Sequence, residues 1–151
     1  MTTTVWFERQ PMHRTETEAG NILIIDDDPL CCELLKSYIE SRTSYAADAC
    51  LSLADLGSIG MLADYDLIII DYELEDMTGI EIAEYLDAFF PHKPAIVITG
   101  NSFLPAPSNH LPKSVRIFVS KSIGPEGVVE IVRELKVCRR GAQSYQHYSP
   151  V

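Results

Sequence analysis

Three carboxylates stand where apolar runs end. Asp26 and Asp27 follow Ile22-Leu23-Ile24-Ile25, and Asp71 follows Leu67-Ile68-Ile69-Ile70. Two further runs end on groups of other chemistry: Ala95-Ile96-Val97-Ile98 on Thr99, and Ile117-Phe118-Val119 on Ser120-Lys121. A charge at the end of a buried run is costly unless something there satisfies it. If the runs are parallel strands, acids, a hydroxyl and an ammonium meet at one edge of one sheet. Two carboxylates about 5 Å apart repel by roughly 3 kcal/mol at an effective dielectric of about 20. A divalent cation relieves that repulsion, and a few hard oxygen donors with open positions favour Mg²⁺, which waits for a phosphate oxygen. Asp71 is then placed to act as a carboxylate nucleophile toward a phosphoryl group. Thr99 can hydrogen-bond the phosphoryl oxygens and Lys121 can pair with their charge.

The elements that must position these groups are legible from periodicity. Four apolar residues in a row at 67–70, three of them Ile, read as a strand buried on both faces, the kind found in parallel sheets. Asp28-Pro29 is a helix start, and Leu30, Leu34, Leu35, Tyr38 and Ile39 follow at helical spacing to about Ser41. A short strand of small residues at Tyr45 to Ala47 suits a sheet edge. A helix is expected over Ser52 to Leu62, made irregular by Gly57 and Gly60. Another runs from about Ile80 to Phe89, stopped by Pro91 and Pro94. Pro105, Pro107 and Pro112 deny a regular helix between Asn101 and Ser114. A last helix spans about Pro125 to Arg139. The order strand–helix, five times over, predicts a doubly wound α/β fold with a five-stranded parallel sheet and a fourth helix irregular or missing. The strand order 2-1-3-4-5 is that of the flavodoxin-like version of this fold, and it opens a cleft between the first and third strands. Residues 21–139 form the domain, with tails at 1–20 and 140–151 expected to be flexible.

A formal net charge of −10 over 151 residues argues against a nucleic-acid surface. It suits either a cation site or plain solubility. The four cysteines show no framework or metal-ligand spacing. With no apolar run long enough to span a bilayer and no signal-peptide pattern, the expectation is reduced thiols, a cytoplasmic location and no membrane contact. Asp28 reads as a helix cap, Glu75 and Asp76 as solvated loop acids, and the histidines as surface residues.

The sequence resembles the receiver domains of two-component response regulators. The acidic pair after the first strand, Asp71 after the third, Gly79 eight residues on, Thr99 after the fourth and Lys121 after the fifth all fall in that family's order, over about Asn21 to Arg139. The resemblance implies a phosphoacceptor switch: Asp71 takes a phosphoryl group from a histidine kinase or histidine phosphotransfer protein. It implies no enzymatic activity beyond self-phosphorylation and auto-dephosphorylation. Asp27, Asp71 and the backbone carbonyl of Glu73 would hold Mg²⁺, with Asp26 acting largely through bound water. Thr99 and Phe118 would form the switch pair, although Phe118 also reads as a core residue. Glu73 and Gly100 sit where family members tune the phosphoaspartate lifetime. Two departures stand out. Ser122 follows Lys121 where the family usually has Pro, and the prolines of 101–114 fall on the fourth helix, part of the family's usual output and dimerisation face. They leave the oligomeric state open and the downstream protein unknown. A docking module that has lost phosphorylation is the alternative. A haloacid-dehalogenase-type phosphatase, its motif sought at Asp26-Asp27-Asp28, is a remote one, since position 30 is Leu and no cap segment is available.

Overall fold

Each apolar run forms a strand in the computed structural model, which describes residues 20–100 and 111–135. The elements run β1 (Asn21–Ile25), α1 (Pro29–Arg42), β2 (Ala46–Cys50), β3 (Leu67–Asp71), α2 (Gly79–Phe89), β4 (Ala95–Thr99), β5 (Val115–Ser120) and α3 (Gly124–Leu135). The sheet has the order β2-β1-β3-β4-β5, and every pairing is parallel. Parallel pairing leaves both faces to be covered, and the side chains divide accordingly. Ile22, Ile24, Leu67, Ile69, Ile96 and Ile98 pack with α1 and α3, whereas Leu23, Ile25, Ile68, Ile70 and Ala95 pack with α2 and the segment before β3.

Several local expectations are revised. In place of a helix over Ser52 to Leu62 there are two short 3₁₀ turns, Ala54–Leu56 and Ile59–Asp64. Gly57, at φ 77°, ends the first, and Ser58 caps the second by accepting from the Gly60 N–H. The edge strand β2 runs on to Cys50, because its small residues let α1 lie close and Tyr65 donates its hydroxyl to Asp48 at 2.9 Å. In α1 the core positions are Cys32, Leu35 and Ile39, while Leu30 and Leu34 are 75% and 50% exposed. Asp28 does cap this helix, accepting from the Leu30 N–H at 3.0 Å.

The proline-rich stretch falls outside the described residues except for 111–114, a turn whose return to the sheet is fixed by α2. Asp87 accepts from the N–H groups of Lys113 and Ser114 at 2.7 and 2.8 Å, and the Ser114 hydroxyl donates to the Ala83 carbonyl at 3.0 Å. The expected tails, apart from Gly20, and the last turn of the expected final helix also lie outside the described residues. Among those described, no helix is long and apolar enough to cross a membrane.

Candidate functional site

β1 and β3 pair with Ile25 beside Ile70, so the next residues along, Asp26 and Asp71, emerge side by side at the carboxyl edge. Both are buried, at 7% and 5% exposure, while Asp27 is exposed. One carboxylate oxygen from each of the three lies within 4.8 Å of the others. Lys121 reaches in from the end of β5, its Nζ 3.0 Å from Asp26 Oδ2 and 3.3 Å from Asp71 Oδ2. It opens a 3₁₀ turn, Lys121–Ile123, in which Ser120 Oγ accepts from the Ser122 N–H at 3.1 Å. There are no cis peptide bonds among the described residues, so Ser122 follows through a trans bond and the lysine still meets both acids. Thr99 is buried at the end of β4, paired in register with Ser120.

The loop after Asp71 is pinned at several points. Asp71 Oδ1 accepts from the Glu73 N–H at 3.2 Å, and Asp26 Oδ1 holds the Asp28 N–H in the same way at 2.9 Å. Gly79 donates its N–H to the Tyr72 carbonyl at 2.9 Å, and a Cβ on Gly79 would stand 2.7 Å from the Asp71 carbonyl oxygen. Only a glycine admits that approach. A capping box between Thr78 and Glu81 then starts α2.

Burial, then the neighbouring Asp26 charge, pushes the Asp71 carboxyl up to about 6, against the pull of Lys121 and the Glu73 N–H. For Lys121, burial alone would lower the pKa, but the hydrogen bond to Asp26 and the charges of Asp26 and Asp71 outweigh it and raise it. The ammonium therefore stays charged at neutral pH. One fixed cation meets two of the three clustered acids, whose hard oxygens form a donor set that fits a divalent cation.

Glu75, Asp76 and His92 are exposed and stand outside the acidic cluster. Burial pushes the thiols of Cys31 and Cys32 up to about 11 and 12, which makes them poor nucleophiles at neutral pH. Phe118 is half-buried on β5, its ring meeting Tyr72. Neither Tyr72 nor the capping box was anticipated. Thr78-x-x-Glu81 is a readable signal, whereas nothing in the sequence ties Tyr72 to Phe118. A shallow apolar cavity of about 380 Å³, lined in part by Leu53, Ile59, Leu74, Met77 and Tyr85, shares no residue with the acid cluster.

The geometry has counterparts among known proteins. The family model for the response regulator receiver domain matches residues 22–133. The cell cycle transcriptional regulator CtrA of Caulobacter vibrioides is 31% identical over 83 residues, 54% of this chain and 35% of that protein. ResD of Bacillus subtilis, a transcriptional regulatory protein, is 32% identical over 71 residues, 47% of this chain and 29% of that protein. The matches thus span about a third of the length of these curated relatives. Among solved structures, the response regulator TrrA of Thermotoga maritima, determined in complex with Mg(2+)-BeF, aligns with TM-score 0.65 and 26% identity, over 76% of this chain and 97% of that one. A CheY-like receiver domain from Methanospirillum hungatei aligns with TM-score 0.65 and 23% identity, over 77% and 92% of the two chains. With most of the chain inside the family model and the acids, threonine and lysine gathered at one sheet edge, this chain belongs to the response regulator receiver domain family.

Proposed function

We propose that this receiver domain is a phosphoacceptor switch that takes a phosphoryl group on Asp71, with Mg²⁺ as cofactor, and signals through protein–protein contacts. The observation that carries this reading is the cluster of Asp26, Asp27 and Asp71, with carboxylate oxygens within 4.8 Å of one another and Lys121 in contact with two of them. Asp27, Asp71 and the Glu73 carbonyl would hold the ion, with Asp26 reaching it through water. Bound there, Mg²⁺ neutralises charge on the phosphoryl oxygens. The protein's own part begins with ionised Asp71. A carboxylate oxygen attacks phosphorus, the bond to the donor's leaving group breaks with its electron pair staying on that group, and an acyl phosphate is left on Asp71. Lys121 then exchanges its contact with Asp71 for the phosphoryl oxygens, and the Thr99 hydroxyl donates to them. Phe118 turns as Thr99 moves.

A histidine kinase or histidine phosphotransfer protein is the donor, the location is cytoplasmic, and the downstream partner is another protein. The receiver unit spans residues 21–139, with residues outside it as tails. Acetyl phosphate with Mg²⁺ tests the reading: an acid-stable, base-labile label appears on the wild type and is absent from Asp71→Asn. No label on the wild type overturns the proposal and leaves a docking module that works without phosphorylation.

A further inference from the structure

Tyr72 is tied to each of the three parts that a switch must connect. It is covalently next to Asp71. Its N–H donates to the Ile98 carbonyl at 2.7 Å, the peptide group that leads into Thr99. Its ring meets the Phe118 ring edge-on, with centroids 5.7 Å apart and planes at 70°. Both rings are half-buried, on the face where Ile70, Val97 and Phe118 form one row across the sheet. The main chain of Tyr72 is held on both sides, because its carbonyl also accepts from the Gly79 N–H at 2.9 Å. With its backbone fixed, the residue acts on Phe118 through its ring.

We infer that Tyr72 is a positioning residue that restrains Phe118 in the unphosphorylated protein, so that the edge-to-face contact opposes loading of Asp71. This inference rests on the phosphoacceptor reading. A contact made in only one of two arrangements shifts the equilibrium toward that arrangement by its own strength. For an aromatic pair of this geometry the shift is roughly 2- to 12-fold. The restraint is assigned to the ring pair and not to the Tyr72 hydroxyl.

Beryllofluoride binding with Mg²⁺, followed by fluorine NMR on the whole chain, tests this. Tyr72→Ala should bind beryllofluoride roughly 2- to 12-fold more tightly than wild type, and Tyr72→Phe should match wild type. In a Phe118→Ala background, removing the Tyr72 ring should change nothing further. Tyr72→Leu keeps apolar bulk without a ring and serves if Tyr72→Ala does not fold; it should also bind more tightly. A second readout needs no ligand: the ring resonance of selectively labelled Phe118 should shift in metal-free Tyr72→Leu and stay in place in Tyr72→Phe. Unchanged or weaker binding by the ring-less variants, an equal gain in the Phe118→Ala background, or an unmoved Phe118 resonance overturns the restraint alone. A wild type that takes up no beryllofluoride overturns the phosphoacceptor reading, and the restraint with it.

Discussion

At the residue scale, burial sets the character of Asp71. Asp71 is buried beside Asp26, and its carboxyl is raised from 3.8 to about 6. A raised acid is protonated more readily in the folded chain than in the unfolded one, so stability falls as pH rises from about 4 to about 6 and then levels. Asp71→Asn removes the ionisable group while Asp26 still engages Lys121. We therefore expect Asp71→Asn to be more stable than wild type above pH 6 without divalent ions, by on the order of 2 kcal/mol. The gap should close below pH 4, as measured by thermal unfolding across that range. A gap that widens on acidification would contradict the burial argument. Lys121 is the opposite case, because removing it leaves Asp26 and Asp71 facing each other uncompensated. Lys121→Met should lower the melting temperature of the metal-free protein, and added Mg²⁺ should recover more stability in this variant than in wild type. The gathering of these residues at one sheet edge was legible because a charge after four apolar residues has few structural explanations. The tie between Tyr72 and Phe118 was not, because ring contacts between residues 46 positions apart depend on register and rotamer.

At the element scale, strands were easier to read than helix faces. A parallel strand buried on both sides is a contiguous apolar run, whereas a helix face is a choice among overlapping spacings. The series Leu30, Leu34, Leu35, Tyr38 and Ile39 fits two neighbouring stripes of α1, and packing against β2 selects the one through Cys32, Leu35 and Ile39. Leu35→Ala should therefore cost about 2–5 kcal/mol in denaturant unfolding, and Leu34→Ala should stay within about 0.5 kcal/mol. Comparable costs at the two positions would show that α1 is turned differently. The segment before β3 goes further than the irregular helix its spacing predicts and divides into two 3₁₀ turns, because Gly57 takes a positive φ, which composition alone does not disclose. Gly79 carries the clearest local demand. The Cβ of Gly79→Ala would stand 2.7 Å from the Asp71 carbonyl oxygen and 3.1 Å from both the Tyr72 Cα and the Cγ2 of buried Ile70. A loss of about 1–3 kcal/mol is expected, together with slower labelling of Asp71 by acetyl phosphate. An unchanged midpoint would mean that the loop shifts freely, and with it the aim of Asp71.

At the scale of the whole molecule, the question is how a chain of formal net charge −10 tolerates three acids at one edge. Lys121 answers part of it, holding Asp26 and Asp71 but leaving exposed Asp27 with no place in that bridge. An ion held by Asp27 and Asp71 would tie the carboxyl end of β1 to that of β3, which pair directly in the sheet, linking site occupancy to global stability. Linkage gives about 1.4 kcal/mol when free Mg²⁺ is ten times its dissociation constant, or a rise on the order of 5 °C for a domain of this size. An acidic surface also responds to general screening, so the comparison must be made at matched ionic strength with a monovalent salt. Asp27 separates the two effects. Because it is exposed, Asp27→Ala should leave the metal-free midpoint within about 2 °C of wild type while abolishing the Mg²⁺-specific rise. If that variant keeps the full rise, the ion is not held at the acid cluster. The coupling between the carboxyl edge and the rest of the sheet would then have to come from Lys121 alone.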